Sequence, residues 1–278
     1  MKQHQAFQFN AIVLAISVLC SSQALGQNTQ RVEAPVATIN AAVGIGSART
    51  NLSSTQTGSR GSNKQVTKTK GVILNTAVLG ADANLNMASV KGGVTGRNDQ
   101  SAEVWGAVIN LGALSADADT QVSSVGGSVQ GRNKQRSTIP GLVLNAAAVA
   151  ANAKTQIASI GGGLQGGDND QTVRSLAVIN AAAVMGEATT RLASVGGKVR
   201  GKNTQTANVG AVLNGAGLLA SATTNIASVS GSVQGSNKQS AYVGGVLNAA
   251  ALGAEAKVNI ASVNGSVRGG NNQTAIVG

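Results

Sequence analysis

The chain has very few of the residues that build chemical sites. Its 278 residues include one cysteine, one histidine and two prolines, and Phe, Trp and Tyr together make up 1%. Charged residues make up 11%. A lone cysteine excludes an internal disulfide framework. So few aromatics exclude the stacking platforms that single-stranded nucleic acid requires. They also exclude the aromatic girdles of an outer-membrane barrel.

Part of this short supply sits at the N-terminus. Lys2 gives a positive start, residues 11–20 are apolar, and Ala24, Leu25 and Gly26 bring the chain to small residues. This pattern predicts an export signal over residues 1–26, cleaved after Gly26. The apolar run is short for a bilayer span. Val18 and Leu19 before Cys20 do not suit a lipoprotein signal. Cleavage removes His4, Phe7, Phe9 and Cys20, so the mature chain has no His- or Cys-ligated zinc site and no Ser-His or Cys-His nucleophile pair. No metal, cofactor or catalytic residue is expected, and the mature chain is expected to have no transmembrane segment. The formal net charge of +11 falls to about +10 without Lys2, spread as single lysines and arginines. This balance solvates an otherwise uncharged surface. The sharper alternative is attraction to anionic polysaccharide, lipid headgroups or extracellular DNA.

What the chain has instead is repetition. The phrase Ala-Ser-Val-x-Gly-x-Val-x-Gly-x-Asn-x-Gln recurs about every 35 residues. It places serines at Ser54, Ser89, Ser124, Ser159, Ser194, Ser228 and Ser262. A second mark, the asparagine closing Val-Leu-Asn or its Ile-Asn variant, keeps the same step at Asn40, Asn75, Asn110, Asn145, Asn180, Asn214 and Asn248.

Each unit reads as three short arms. In residues 220–228 small or apolar residues alternate with polar ones, the period-2 signal of a half-buried strand. Residues 229–237 form the second arm, with a corner between Ser228 and Val229 where the inward parity switches. Residues 239–248 form the third. The predicted fold class is therefore all-β: a β-solenoid of about seven imperfect repeats of 34–35 residues. A signal over 1–26 and a linker over 27–39 precede the repeat array over 40–278. At about 4.8 Å per coil the rod is roughly 30–35 Å long. A helix remains the alternative for the alanine-rich runs 143–154 and 180–185, although Gly215 and Gly217 stand in the equivalent segment.

The candidate functional residues are the Asn-x-Gln pairs: Asn63 and Gln65, Asn98 and Gln100, Asn133 and Gln135, Asn169 and Gln171, Asn203 and Gln205, Asn237 and Gln239, Asn271 and Gln273. Two residues apart on a strand share a face. A primary amide both donates and accepts, so stacked copies can bond along the whole rod. The Val-Leu-Asn asparagines suit a further column, while a polar turn is the plainer alternative for Asn-x-Gln. The residue between each pair varies (Lys64, Asp99, Lys134, Asp170, Thr204, Lys238, Asn272), which predicts exposure to water. Asp117 with Asp119, and Asp168 with Asp170, have the spacing to share a cation but read better as solvated surface. Pro140 interrupts a strand, so it is expected at an edge or bulge. The last repeat stops at Gly278 in mid-coil and reads as uncapped.

The export signal, the imperfect Gly-, Asn-, Gln-, Ser- and Ala-rich repeats, and phrases such as Gly235-Ser236-Asn237-Lys238-Gln239-Ser240-Ala241 resemble bacterial functional amyloid subunits of the curli and Fap kind. The resemblance covers roughly residues 40–278, is one of architecture, and does not reproduce the curlin repeat length or its Ser-to-Gln spacing. It implies secretion to the cell surface or beyond, and self-assembly into β-rich fibres for adhesion or biofilm matrix. The implied partners are further copies of the chain, with a minor nucleator subunit and anionic polysaccharide as additional ones. A monomeric β-solenoid adhesin or other surface-binding module is the alternative.

Overall fold

The computed structural model describes residues 25–278 apart from Val36, residues 44–46, Gln56, Thr57, Leu79, Ala81, Ala116, Ala151, Leu252 and Ala254. Residues 1–24 of the expected export signal lie outside the described residues.

The repeats wind into a β-solenoid. One sheet has fifteen strands and the other seven, one in each coil. Neighbouring coils pair in parallel and in register, like residue over like. One coil shows the path. Its first arm is Ala118–Val122. The chain turns at Ser123, runs through Val125, and forms the short strand Val129–Gln130. It turns again at Gly131 into Asn133–Val149. The predicted third arm is in fact two stretches at an angle: the preceding coil separates them as Val94–Val104 and Val108–Ala113. The coil thus has four arms.

The alanine-rich runs are strands, within Asn133–Val149, Ala153–Ile157 and Leu164–Val184. Helical propensity loses here because flanking coils already present a complete row of backbone partners, and the alternating burial of 143–147 needs a period of two. The array also begins upstream of residue 40. Leu25–Ala34 pairs with Ser59–Thr69, setting Asn28 beside Asn63 and Gln30 beside Gln65. Asn28-Thr29-Gln30 is itself a copy of the repeated phrase.

Two aliphatic columns fill the interior. Val90, Val125, Ile160, Val195 and Val229 stack beside Val94, Val129, Leu164, Val199 and Val233. The larger column includes Met87, Val122, Ile157, Leu192 and Ile226 on the first arm, against Val108, Val143, Val178 and Val212 on the fourth. Same-parity residues of each arm face inward and exclude water, which is the main stabilising term.

The corners are specified in different ways. One is built on Gly61, Gly96, Gly131, Gly201, Gly235 and Gly269, all with positive φ. A Cβ on Gly131 would collide with the carbonyl oxygen of Gly96 in the coil below. A second corner uses Ser53, Ala88, Ser123, Ala158, Ala193, Ala227 and Ala261 at φ between 45° and 48°. It is one residue earlier than the switch after Ser228. A third corner has glycine at Gly80 and Gly253 but Ala150, Met185 and Leu219 in the middle coils, again with positive φ.

Insertions are absorbed at corners. The step from Asn133 to Asn169 gains a residue at Gly166 and Gly167, both with positive φ, where the register shifts. A second shift falls between Ile139 and Leu142, at Pro140. Pro140 therefore occupies an irregularity, where its missing N–H interrupts no ladder.

Two substitutions should move stability in opposite directions. Leu219→Gly relieves a left-handed non-glycine residue and is expected to stabilise by about 1 kcal/mol. Gly131→Ala is expected to cost about 2 kcal/mol or more, through strain and the collision with Gly96. Urea denaturation followed by circular dichroism measures both.

Candidate functional site: the buried amide columns

The third and fourth arms each turn their amides inward. Asparagines and glutamines of the Asn-x-Gln pairs in the middle coils are buried to within 2% of complete. The alternation that points valine inward at 143 and 173 points asparagine and glutamine inward two or more residues away. Amides cannot be left there without partners, since each unsatisfied group costs about 1–3 kcal/mol.

The stacked coils supply those partners. Asn63 donates from Nδ2 to Asn98 Oδ1 at 2.7 Å, and Asn98 to Asn133 at 2.7 Å. The column continues from Asn133 to Asn169 at 2.7 Å, Asn169 to Asn203 at 2.6 Å, and through Asn237 to Asn271 at 2.7 Å. Beside it, Gln65 donates to Gln30, Gln100 to Gln65 and Gln135 to Gln100. The chain of donors runs on through Gln171, Gln205 and Gln239 to Gln273, with distances between 2.7 and 2.9 Å. All fourteen predicted residues thus fall in two adjoining columns. Gln30 joins them, carried by the upstream copy of the phrase.

The two columns point in opposite directions along the rod. Each asparagine donates toward the C-terminal coil, while each glutamine donates toward the N-terminal one. Opposed amide dipoles side by side attract, so the pairing is favourable across as well as along the rod. Asn98 Nδ2 also reaches Gln100 Oε1 at 3.1 Å, tying the columns together.

The fourth arm carries a third column. Asn40, Asn75, Asn110, Asn145, Asn180, Asn214 and Asn248 each donate to the next at 2.7–2.9 Å. Five of their carbonyl oxygens also accept a threonine hydroxyl from the first arm: Thr50 to Asn75, Thr120 to Asn145, Thr155 to Asn180, Thr190 to Asn214 and Thr224 to Asn248, while Leu85 holds the threonine position beside Asn110. Their amino groups donate in addition to first-arm carbonyls, such as Asn145 to Ala118 O at 3.0 Å. This column therefore bolts two sheets together. The threonines are a part that sequence reasoning missed, although they recur with the same step as the asparagines.

The residues between each pair lie on the outside. Lys64, Lys134, Asp170, Lys238 and Asn272 are exposed, and Asp99 and Thr204 are half-buried. Register sets Asp99 beside Lys134. A cross-coil ion pair on this face joins Lys68 to Glu103 at 3.5 Å. Such exposed pairs contribute little.

The two predicted carboxylate pairs differ in setting, with Asp117 and Asp119 lining one outer groove. Asp168 and Asp170 are exposed. Asp117 is exposed and accepts from the backbone N–H of Asn152 at 2.8 Å. Asp119 is largely withdrawn from water in the outer groove of the first arm. Burial pushes its carboxyl above the usual carboxylate range, with Lys154, Gln121 and Lys91 opposing that rise and Asp117 adding to it. Among the described residues, no group of three His, Cys, Asp or Glu side chains is placed to hold a metal ion.

Removing one amide should be costly in mid-column. Asn145→Val strips a partner from Asn110, Thr120, Ala118 and Asn180, and is expected to cost about 2–4 kcal/mol in urea denaturation. Asp119 sets a pH dependence. With its folded-state pKa raised, the native chain keeps this proton to higher pH than the unfolded one. Stability is then expected to fall as pH rises from about 3.9 through the folded value, and to level off above it. Asp119→Asn should remove that fall and raise the melting temperature at pH 7, read by thermal scans across pH.

Comparison with known protein families, with curated proteins and with solved structures finds no match to this chain.

Proposed function

We propose that the chain is a secreted structural protein that assembles with further copies of itself into β-rich, amyloid-like fibres at a bacterial cell surface, in adhesion or biofilm matrix. The observation that carries this reading is the repetition of one bond in three buried columns. Every coil meets its neighbour through the same asparagine, glutamine and backbone contacts. A coil supplied by another chain with the same phrase would be held by those contacts. The two kinds of column give this growth a direction. Asparagine donors face one end and glutamine donors the other, so only head-to-tail stacking matches donor with acceptor. Catalysis is no part of this reading. The resemblance to curli and Fap subunits adds to it.

A surface-binding role is the second reading. The outside of the third arm carries Lys64, Lys68, Lys134, Arg136, Arg174 and Lys238. These cations, spaced along a rigid rod, suit an anionic polysaccharide. Among the described residues, no helix is long and apolar enough to cross a membrane.

Ageing the purified chain, freed of residues 1–26, tests the first reading. Fibres with reflections at roughly 4.7 and 10 Å are expected. A sample that stays dispersed by electron microscopy and light scattering overturns it and leaves the surface-binding module.

A further inference from the structure

The outer face of the fourth arm differs from every other outer face of the rod. Its outward positions are apolar or small apart from Thr76, while the asparagine column stays on the inner side. Ile109, Leu144, Ile179, Leu213 and Leu247 form an aliphatic ridge along the rod, with Leu213 38% and Leu247 59% exposed. Beside it lies a shallow groove of about 670 Å³, floored by small residues such as Ala146, Ala148, Ala181, Ala183, Gly215 and Gly217. A second ridge bounds the groove at the corner, where Val149, Met185, Leu218 and Leu219 are exposed. No Lys, Arg, Asp or Glu occurs in 73–78, 108–113, 143–149, 178–184, 212–218 or 246–250. In a chain of net charge +11 this is a neutral strip from one coil to the next.

We infer that this face is a lateral interface between two copies of the chain, packed sheet against sheet. Three properties of the face select a second copy as its occupant. The first is charge. Two rods of the same strongly positive sign lie side by side most readily along a face that carries no charge. The second is shape. A two-fold axis along the rod reverses the arm direction, so the ridge of each copy enters the groove of the other while both rods stay parallel. The facing coils share one axial spacing, so their side chains interdigitate at every step, as in a dry zipper. Such a contact is isologous and closes at two copies. The third is area. Six residues at about 3.3 Å by seven coils at about 4.8 Å give roughly 670 Å² per copy. A pair then buries about 1,300 Å², which reaches the range of specific interfaces. A lipid surface suits the face less well, because only Trp105 and Tyr242 stand exposed near its margin, and the other coils place no aromatic there to settle at a headgroup boundary.

The pairing goes beyond the proposed axial growth and is separable from it. Parallel rods joined sideways would elongate in the same direction, giving paired filaments rather than single ones.

Sedimentation equilibrium on freshly prepared chain, before fibres form, tests the inference. A dimer is expected below about 100 μM. The double substitution Ala146→Glu and Ala181→Glu, on the outer side of the strands, should give a monomer with an unchanged circular dichroism spectrum. The milder Ala146→Thr and Ala181→Thr pair fills the groove with a good strand former, and should weaken the dimer at least tenfold. It keeps the test open if the glutamates prevent folding. A wild-type chain that is monomeric at about 100 μM overturns the inference even where aged samples form fibres. So does a dimer that survives the groove-filling pair, or a monomer that instead floats with neutral phosphatidylcholine vesicles. A dimer that never elongates upholds the pairing and overturns the axial reading alone.

Discussion

Zero-offset parallel stacking is the constraint on which everything else in this molecule depends. Each interior position meets its own kind in the next coil, so a side chain is acceptable inside if it can bond or pack with a copy of itself. Valine and isoleucine satisfy that rule by packing, and asparagine and glutamine by hydrogen bonding. A slip of one residue would turn Lys134 inward and Gln135 outward. The amide columns make such a slip prohibitively unfavourable, because every coil would lose its partners together. They contribute less as net stabilisation than as specification of one register.

The same rule separates the inside of the rod from its outside. Asn133 and Gln135 are fixed by their columns, while Lys134 between them answers to water alone. Its counterparts are Asp99, Asp170 and Thr204. Sequence variation at those outward positions thus leaves the scaffold untouched. The fourth arm departs from this pattern, since its outer side is also small and apolar. Water does not demand alanine and glycine there, which is why that face calls for a partner.

Much of the architecture was legible because the step of the serines and asparagines is the step of the coil. The Asn-x-Gln pairs could be assigned to one face from their spacing, and the structure brings them into two columns. Other features were hidden by the language of local propensity. The alanine-rich runs at 143–149 and 178–184 suit a helix when read alone, and only neighbouring coils make them strands. The third arm bends because Pro140-Gly141 and the pair Gly244-Gly245 break it, which periodicity alone does not show. The corner at Ala227 was displaced by one residue, since nothing in alanine announces a positive φ. Asp119 reads as solvated surface because the other repeats mostly place uncharged residues around it, but the outer groove of the first arm partly covers it.

The residue inserted at Gly166 and Gly167 shows what changes this architecture permits. A single extra residue survives only by bulging at a corner, out of every column. A whole extra coil, by contrast, enters with all its contacts already provided and disturbs none above or below. Errors of copying between near-identical repeats deliver changes of that second size. The length of the rod is therefore an evolvable integer, free to drift by duplication or loss of units, while its cross-section is held constant.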